Sequence, residues 1–265
     1  MATSHPPKLG MGARSSVGNG KGNPITMATQ NVCHHGEDKL CYLVEQRRDI
    51  MALTELHTDL SNSRCAAELG RRLITCGDYS ANVVDDPAAG VALLLSPRCA
   101  AAVTDKGVLP PSNKSCARIC WARIDMLPQP MFVVAVYWPH AAREKAPFRE
   151  DTANELLKLL RDKVNRSEDG VITDAVCLLG DFNSRLAKDD KGFTGKFSPH
   201  ARGDDGGSLM REIMAEFSLY DVNTVFQPDR RSARNTGNAT YCMDKGYIQP
   251  ANKRYQSDQP PAIID

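Results

Sequence analysis

Four short segments of this sequence join an apolar run to residue types that can hold a hard cation or a phosphate. They are Thr29-Gln30-Asn31-Val32, Ile50-Met51-Ala52-Leu53-Thr54-Glu55-Leu56-His57, Val133-Val134-Ala135-Val136-Tyr137-Trp138-Pro139 and Cys177-Leu178-Leu179-Gly180-Asp181-Phe182-Asn183. Each reads as a strand that ends on one or two polar residues. The ends of neighbouring strands can converge on one rim of a sheet. Carboxylates gathered there bind a hard cation, and carboxamides fix the oxygens around it. The fourth segment is the most specific. Gly180 permits a sharp exit from a buried strand, and Asp181 and Asn183, two residues apart, point the same way in an extended chain. The same residues also suit an Asx turn at a strand end, and Glu55 also suits a solvated loop acid.

The elements that must position these residues follow from periodicity and turn chemistry. Strands are expected at 25–32, 49–53, 78–84, 90–95, 100–103, 117–126, 131–137 and 175–179. Helices are expected at 37–47 and 64–73. A long helix after Pro147 carries Leu156, Leu157, Leu160 and Val164, and another at 206–217 aligns Met210, Ile213, Met214 and Phe217. After Val225 the chain turns polar. Most strands are hairpin neighbours, without regular βαβ alternation, so two packed sheets with outer helices are expected over a doubly wound sheet.

Composition narrows the class. The 265 residues carry 33 Lys+Arg against 32 Asp+Glu, a net charge of +1, so any basic surface must be local. Hydrophobic residues make up 42% and charged residues 25%, which excludes a wholly disordered chain, collagen and a coiled coil. No apolar run approaches the roughly 18–20 residues of a membrane helix. Residues 1–24 hold Lys8, Arg14 and Lys21 without an acid and read as a disordered tail with no secretory signal. One domain is expected over 25–265. The 9 cysteines are odd in number and irregularly spaced, which points to reduced thiols in an intracellular protein, nuclear or cytoplasmic. Cys116-x3-Cys120 has no partner pair at finger spacing and reads as core thiols, not zinc ligands.

Taken in order, Asn-Val, Thr-Glu-Leu-His, Val-Tyr-x-Pro and Leu-Leu-Gly-Asp-Phe-Asn resemble the endonuclease/exonuclease/phosphatase superfamily. Gly90-Val91-Ala92-Leu93-Leu94-Leu95-Ser96-Pro97, the helix that opens at Gly206, and Asp221-Val222-Asn223-Thr224-Val225-Phe226 are similar to the endonuclease domains of non-LTR retrotransposons and their craniofacial-development-protein-like relatives. The resemblance implies an α/β fold, a deoxyribonuclease I-like four-layer sandwich of two packed mixed β-sheets flanked by helices. It implies a site in which Glu55 is a metal ligand and Asn31 helps arrange the metal. Tyr137 would contact the scissile phosphate, Asp181 would position or deprotonate the attacking water, and Asn183 would hold a phosphate oxygen. Asp265 resembles an Asp that orients a later histidine. The implied cofactor is Mg²⁺, with Mn²⁺ as a substitute, and the implied activity is phosphodiester hydrolysis, with DNA favoured over RNA as partner and no membrane involved.

The sequence departs from that pattern. The superfamily ends on Ser-Asp-His, whereas this sequence stops at Asp265, so a domain lacking its final strands, with a sheet edge left open and activity reduced or absent, is expected. Loss of a general acid/base costs roughly 10²–10⁴ in rate. His57 belongs to the second motif, His140 follows the third, and His34, His35 and His200 read as surface loop residues. Gln30 and Thr54 stand where the superfamily usually has Trp and often Gln. Arg230, Arg231, Arg234, Lys245, Lys253 and Arg254 suit either a phosphate-backbone patch or a solvated loop. Two alternatives stand beside the nuclease: a non-catalytic remnant or binding module, and a small-molecule phosphatase or lipid phosphodiesterase on the same fold.

Overall fold

A computed structural model describes residues 25–32, 43–56, 72–75, 90–110, 112–113, 115–126, 129–139, 146–188, 193–195, 200–221, 241–244, 247–250 and 262–264. The expected tail at 1–24, the expected strand at 78–84 and most of the expected helices at 37–47 and 64–73 lie outside these residues.

In chain order the elements are β1 (Met27–Asn31), β2 (Ile50–Thr54), β3 (Arg72–Thr75), β4 (Val91–Leu95), α1 (Pro97–Ala101), β5 (Val103–Val108), β6 (Ile119–Ile124), β7 (Met131–Tyr137), α2 (Ala146–Lys163), β8 (Ala175–Asp181), α3 (Asp205–Glu216), β9 (Tyr241–Asp244), β10 (Tyr247–Pro250) and β11 (Ala262–Ile264). One sheet runs β11-β1-β2-β4-β3, the other β5-β6-β7-β8, and β9 and β10 form a separate hairpin. Both large sheets are mixed. β1 and β2 are parallel, as are β7 and β8, while β2–β4, β5–β6 and β6–β7 are antiparallel.

Period-two alternation sorts the strand residues into three cores. Between the sheets lie Ile50, Ala52, Leu93, Leu95, Cys120, Val133, Ala135, Tyr137 and Leu179. The alternate residues of the second sheet, Trp121, Phe132, Val134, Val136 and Leu178, pack against Leu156 and Leu160 of α2 and Met210, Ile213 and Met214 of α3. On the outer face of the first sheet, Ala28, Met51, Leu53, Ala92 and Leu94 meet Leu43 and Val44 of a helical turn at 43–45. Three cores between four layers explain why strands β2, β4 and β7 are buried along their whole length and read as continuous apolar runs.

Two expectations are corrected. The stretch expected as a strand at 100–103 is mostly helix α1, and the strand begins only at Val103. Ser96-Pro97 is a helix start: the Ser96 side chain accepts from the Cys99 N–H, and proline suits the first helical turn, where its missing N–H costs nothing. The helix expected to run through Leu73 gives way there to β3, where Arg72-Leu73-Ile74-Thr75 pairs rung by rung with β4. Tertiary pairing with an already buried strand overrides the local helical pattern. The polar C-terminal stretch also supplies strands that its composition hides. β11 pairs antiparallel with β1, so β1 is an interior strand of its sheet.

Candidate active site

The parallel pairs β1–β2 and β7–β8 run in the same sense within each sheet, and their carboxyl ends carry all four motifs. Asn31 is in register with Thr54, so Glu55 stands one residue beyond the rung that Asn31 occupies. Tyr137 is in register with Asp181 in the facing sheet. Tyr137 and Leu179 both face the core between the sheets. Asp181, two residues after Leu179, shares that face.

The two sheets meet at a polar contact. Asn31 Nδ2 donates to Asp181 Oδ2 at 3.3 Å, and the Asn183 backbone N–H donates to Asp181 Oδ1 at 3.0 Å. The second of these is the Asx turn that the sequence allows. Asp181 is 0% exposed, and both donors are neutral amides.

Backbone conformation concentrates here. Glu55 has φ 55° and Asn183 φ 43°, two of only five non-glycine residues with positive φ among those described. Such conformations cost of order 1–3 kcal/mol and gather at functional sites. At Glu55 the left-handed residue breaks the strand alternation directly after β2. The flanking Val32 and Leu56 N–H groups donate to Thr54 and Gly90 carbonyls at 2.9 and 3.3 Å, which fastens the turn on both sides. Gly180 has φ 142°, and a Cβ there would collide with the Val136 carbonyl oxygen. Only glycine lets β8 approach β7 this closely one residue before Asp181.

Asn183 Nδ2 donates to the Trp138 carbonyl at 2.8 Å, and Trp138 N–H donates to the Asp181 carbonyl at 2.7 Å. The loop that carries Asn183 is held from its other side by α3. Asp204, the N-cap of α3, accepts from Gly207 N–H at 2.8 Å and from Arg185 N–H at 3.1 Å.

The donors are chemically suited to Mg²⁺. The set comprises two carboxylates, Glu55 and Asp181, and two carboxamides, Asn31 and Asn183. Mg²⁺ prefers oxygen ligands and is usually bound through one or two carboxylates together with water and substrate phosphate. Among the described residues there is no group of three or more His, Cys, Asp and Glu side chains that could hold a metal by itself. Cys116 and Cys120 are buried; Cys120 Sγ lies 3.6 Å from the Ile74 carbonyl in the core between the sheets. Tyr137 is 0% exposed and packs in the core between the sheets. His200 is a half-buried loop residue whose pKa burial and the nearby Arg185 charge push down, against a smaller opposing pull from Asp204. Asp265, His57, His140, His34 and His35 lie outside the described residues.

Sequence reasoning passed over Trp138 and Arg149. A signal for Arg149 existed: it shares helical spacing with Ala153, Leu156 and Leu160, which places an arginine on the buried face of α2.

No protein-family model matches the chain, and no curated protein matches it. Solved structures do. The chain is similar to the AP endonuclease LMAP from Leishmania major at 14% identity over 74% of this chain and 68% of that one, with a TM-score of 0.52. It is similar to beta toxin from Staphylococcus aureus at 13% identity over 91% and 95%, with a TM-score of 0.50. A humanized D. rerio TDP2 with 14 mutations matches at 15% identity over 62% of this chain, with a TM-score of 0.44, and the chain spans 64% of it. The likeness to LMAP and to beta toxin shows the fold: the chain has a deoxyribonuclease I-like α/β sandwich. No helix among the described residues is long and apolar enough to cross a membrane.

Proposed function

We propose that this chain is a Mg²⁺-dependent phosphodiester hydrolase that acts on DNA as an endonuclease. The observation that carries the reading is the Asn31–Asp181 contact, which joins the carboxyl ends of β1 and β8 across the two sheets at 3.3 Å. It brings residues of the first and fourth motifs together at one buried carboxylate. Glu55 and Asn31 would hold the metal. When bound, Mg²⁺ supplies positive charge to the phosphate oxygens as the P–O bond breaks. Asp181, fixed by Asn31 and the Asn183 N–H, orients the attacking water and accepts its proton. Asn183 would hold a phosphate oxygen, its Nδ2 also donating to the Trp138 carbonyl at 2.8 Å. Tyr137 would contact the scissile phosphate, and Asp265 would complete the set. DNA as the substrate rests on the retrotransposon-type motifs at 90–97 and 221–226 and on the basic residues between Phe226 and Arg254.

A second reading keeps the same fold. A metal-binding, DNA-binding module without turnover would share every contact described above. Nicking of supercoiled plasmid in Mg²⁺, stopped by EDTA, supports the hydrolase. Plasmid retention in a mobility-shift assay without nicking supports the binding module.

A further inference from the structure

Three residues next to the site close a ring of hydrogen bonds, each donating from its side chain to the backbone carbonyl of the next. Asn183 Nδ2 donates to the Trp138 carbonyl at 2.8 Å. Trp138 Nε1 donates to the Arg149 carbonyl at 3.0 Å. Arg149 Nη2 donates to the Asn183 carbonyl at 3.1 Å. The ring links the end of β7, the first turns of α2 and the loop after β8. It lies in a dry setting: Trp138 is 0% and Arg149 5% exposed, and the Trp138 ring meets Phe182 edge to face at 6.1 Å between centroids.

Burying a guanidinium is expensive unless its charge does something that a neutral side chain cannot. Here the fork reaches the carbonyl of a residue at φ 43°, a conformation that asparagine tolerates but does not prefer. The protein keeps a special place for it. A Cβ on Gly206 would collide with Arg149 Nη2, so the first turn of α3 is left without a side chain where the guanidinium passes.

We propose that Arg149, with Trp138, is a positioning residue that holds the left-handed Asn183 and aims its carboxamide at the phosphate. The inference rests on the phosphodiester reading of the site for its consequence and on the hydrogen-bond ring for its geometry. A residue displaced by about 1 Å from its productive position can cost on the order of 10²-fold in rate. Arg149 touches no reacting atom, so its loss should lower kcat and leave KM nearly unchanged.

The test reads geometry and turnover separately. The Asn183 carboxamide signal is assigned in a ¹⁵N-resolved spectrum by its disappearance in Asn183→Ala. In Arg149→Met, Arg149→Lys and Trp138→Phe that signal should move and its hydrogens should exchange faster, while signals from the core between the sheets stay in place. The same variants should lose about 10- to 100-fold in kcat on a phosphodiester substrate, with no further loss when each is combined with Asn183→Ala. An unmoved Asn183 signal in folded Arg149→Lys and Trp138→Phe overturns the inference, whether or not Arg149→Met folds. Additive losses in the double variants overturn it as well. Absence of Mg²⁺-dependent hydrolysis by the unaltered protein counts against the phosphodiester reading alone, because the Asn183 signal still decides the ring.

Discussion

Asn31 and Asp181, 150 residues apart in sequence, meet at 3.3 Å between the two sheets. That contact makes the site a property of the sandwich and not of either sheet. A change that shifts one sheet against the other should therefore damage the site before it damages either core.

Asn31→Ala removes a donor to the Asp181 carboxylate, so Asp181 loses its orientation and Mg²⁺ loses one of its neighbours. Calorimetric titration should show metal affinity weakened by about 10- to 100-fold, the range expected when a partner that orients a ligand is lost. The melting temperature should change little, since Asn31 is only half-buried. Unchanged affinity would remove Asn31 from the site.

Gly180 and Gly170 make a paired test of backbone approach. Gly180→Ala should destabilise the protein by roughly 2–4 kcal/mol or prevent folding, because its Cβ meets the Val136 carbonyl and its φ is 142°. Gly170 has φ 78° with nothing within 4 Å, so Gly170→Ala should cost only about 1 kcal/mol. Thermal or urea unfolding of the two variants checks the difference.

Much of this arrangement is legible in the sequence. The continuous apolar strands and their polar ends are visible because the strands are covered on both faces, and Gly180-Asp181-Phe182-Asn183 announces its own turn. What the sequence hides is set by partners far away in the chain. Ser96-Pro97 reads as a turn between strands until Cys99 is seen donating to Ser96. β3 exists because β4 offers an edge, and β11 exists because β1 does. Arg149 looks like a solvated charge until helical spacing is compared with the burial of Leu156 and Leu160.

Asp49 predicts an acid limit to stability. Burial pushes its pKa up, but hydrogen bonds from Arg98, Thr26 and Ser96 outweigh burial and hold it well below the ordinary carboxylate range. Arg98 grips both carboxylate oxygens, at 2.7 and 2.6 Å. A folded pKa below the unfolded one gives stability that is full above about pH 5 and is lost as pH falls through about 4 toward the folded value. Solvent screens the Arg98 pair, so Asp49→Asn should lower stability by about 1–2 kcal/mol at pH 7 and flatten the loss below pH 5. Denaturant midpoints measured from pH 3 to 7 check both effects.

The thiols predict resistance to alkylation and indifference to zinc chelators. Cys99, Cys116 and Cys120 are buried, and burial pushes the Cys177 thiol up to about 11. At pH 8 these four thiols should react with iodoacetamide only on unfolding. A zinc chelator should leave the melting temperature where it was, and a marked drop would reinstate Cys116 and Cys120 as ligands.

The central claim is that Glu55 and Asp181 act together at one metal-dependent site for phosphodiester cleavage. The most direct measurement is the rate of supercoiled plasmid nicking in Mg²⁺ by the unaltered protein, Glu55→Gln and Asp181→Asn, each shown to be folded. The account predicts Mg²⁺-dependent nicking that EDTA abolishes and that falls by at least about 10²-fold in each variant. Nicking that persists undiminished in both variants would contradict it.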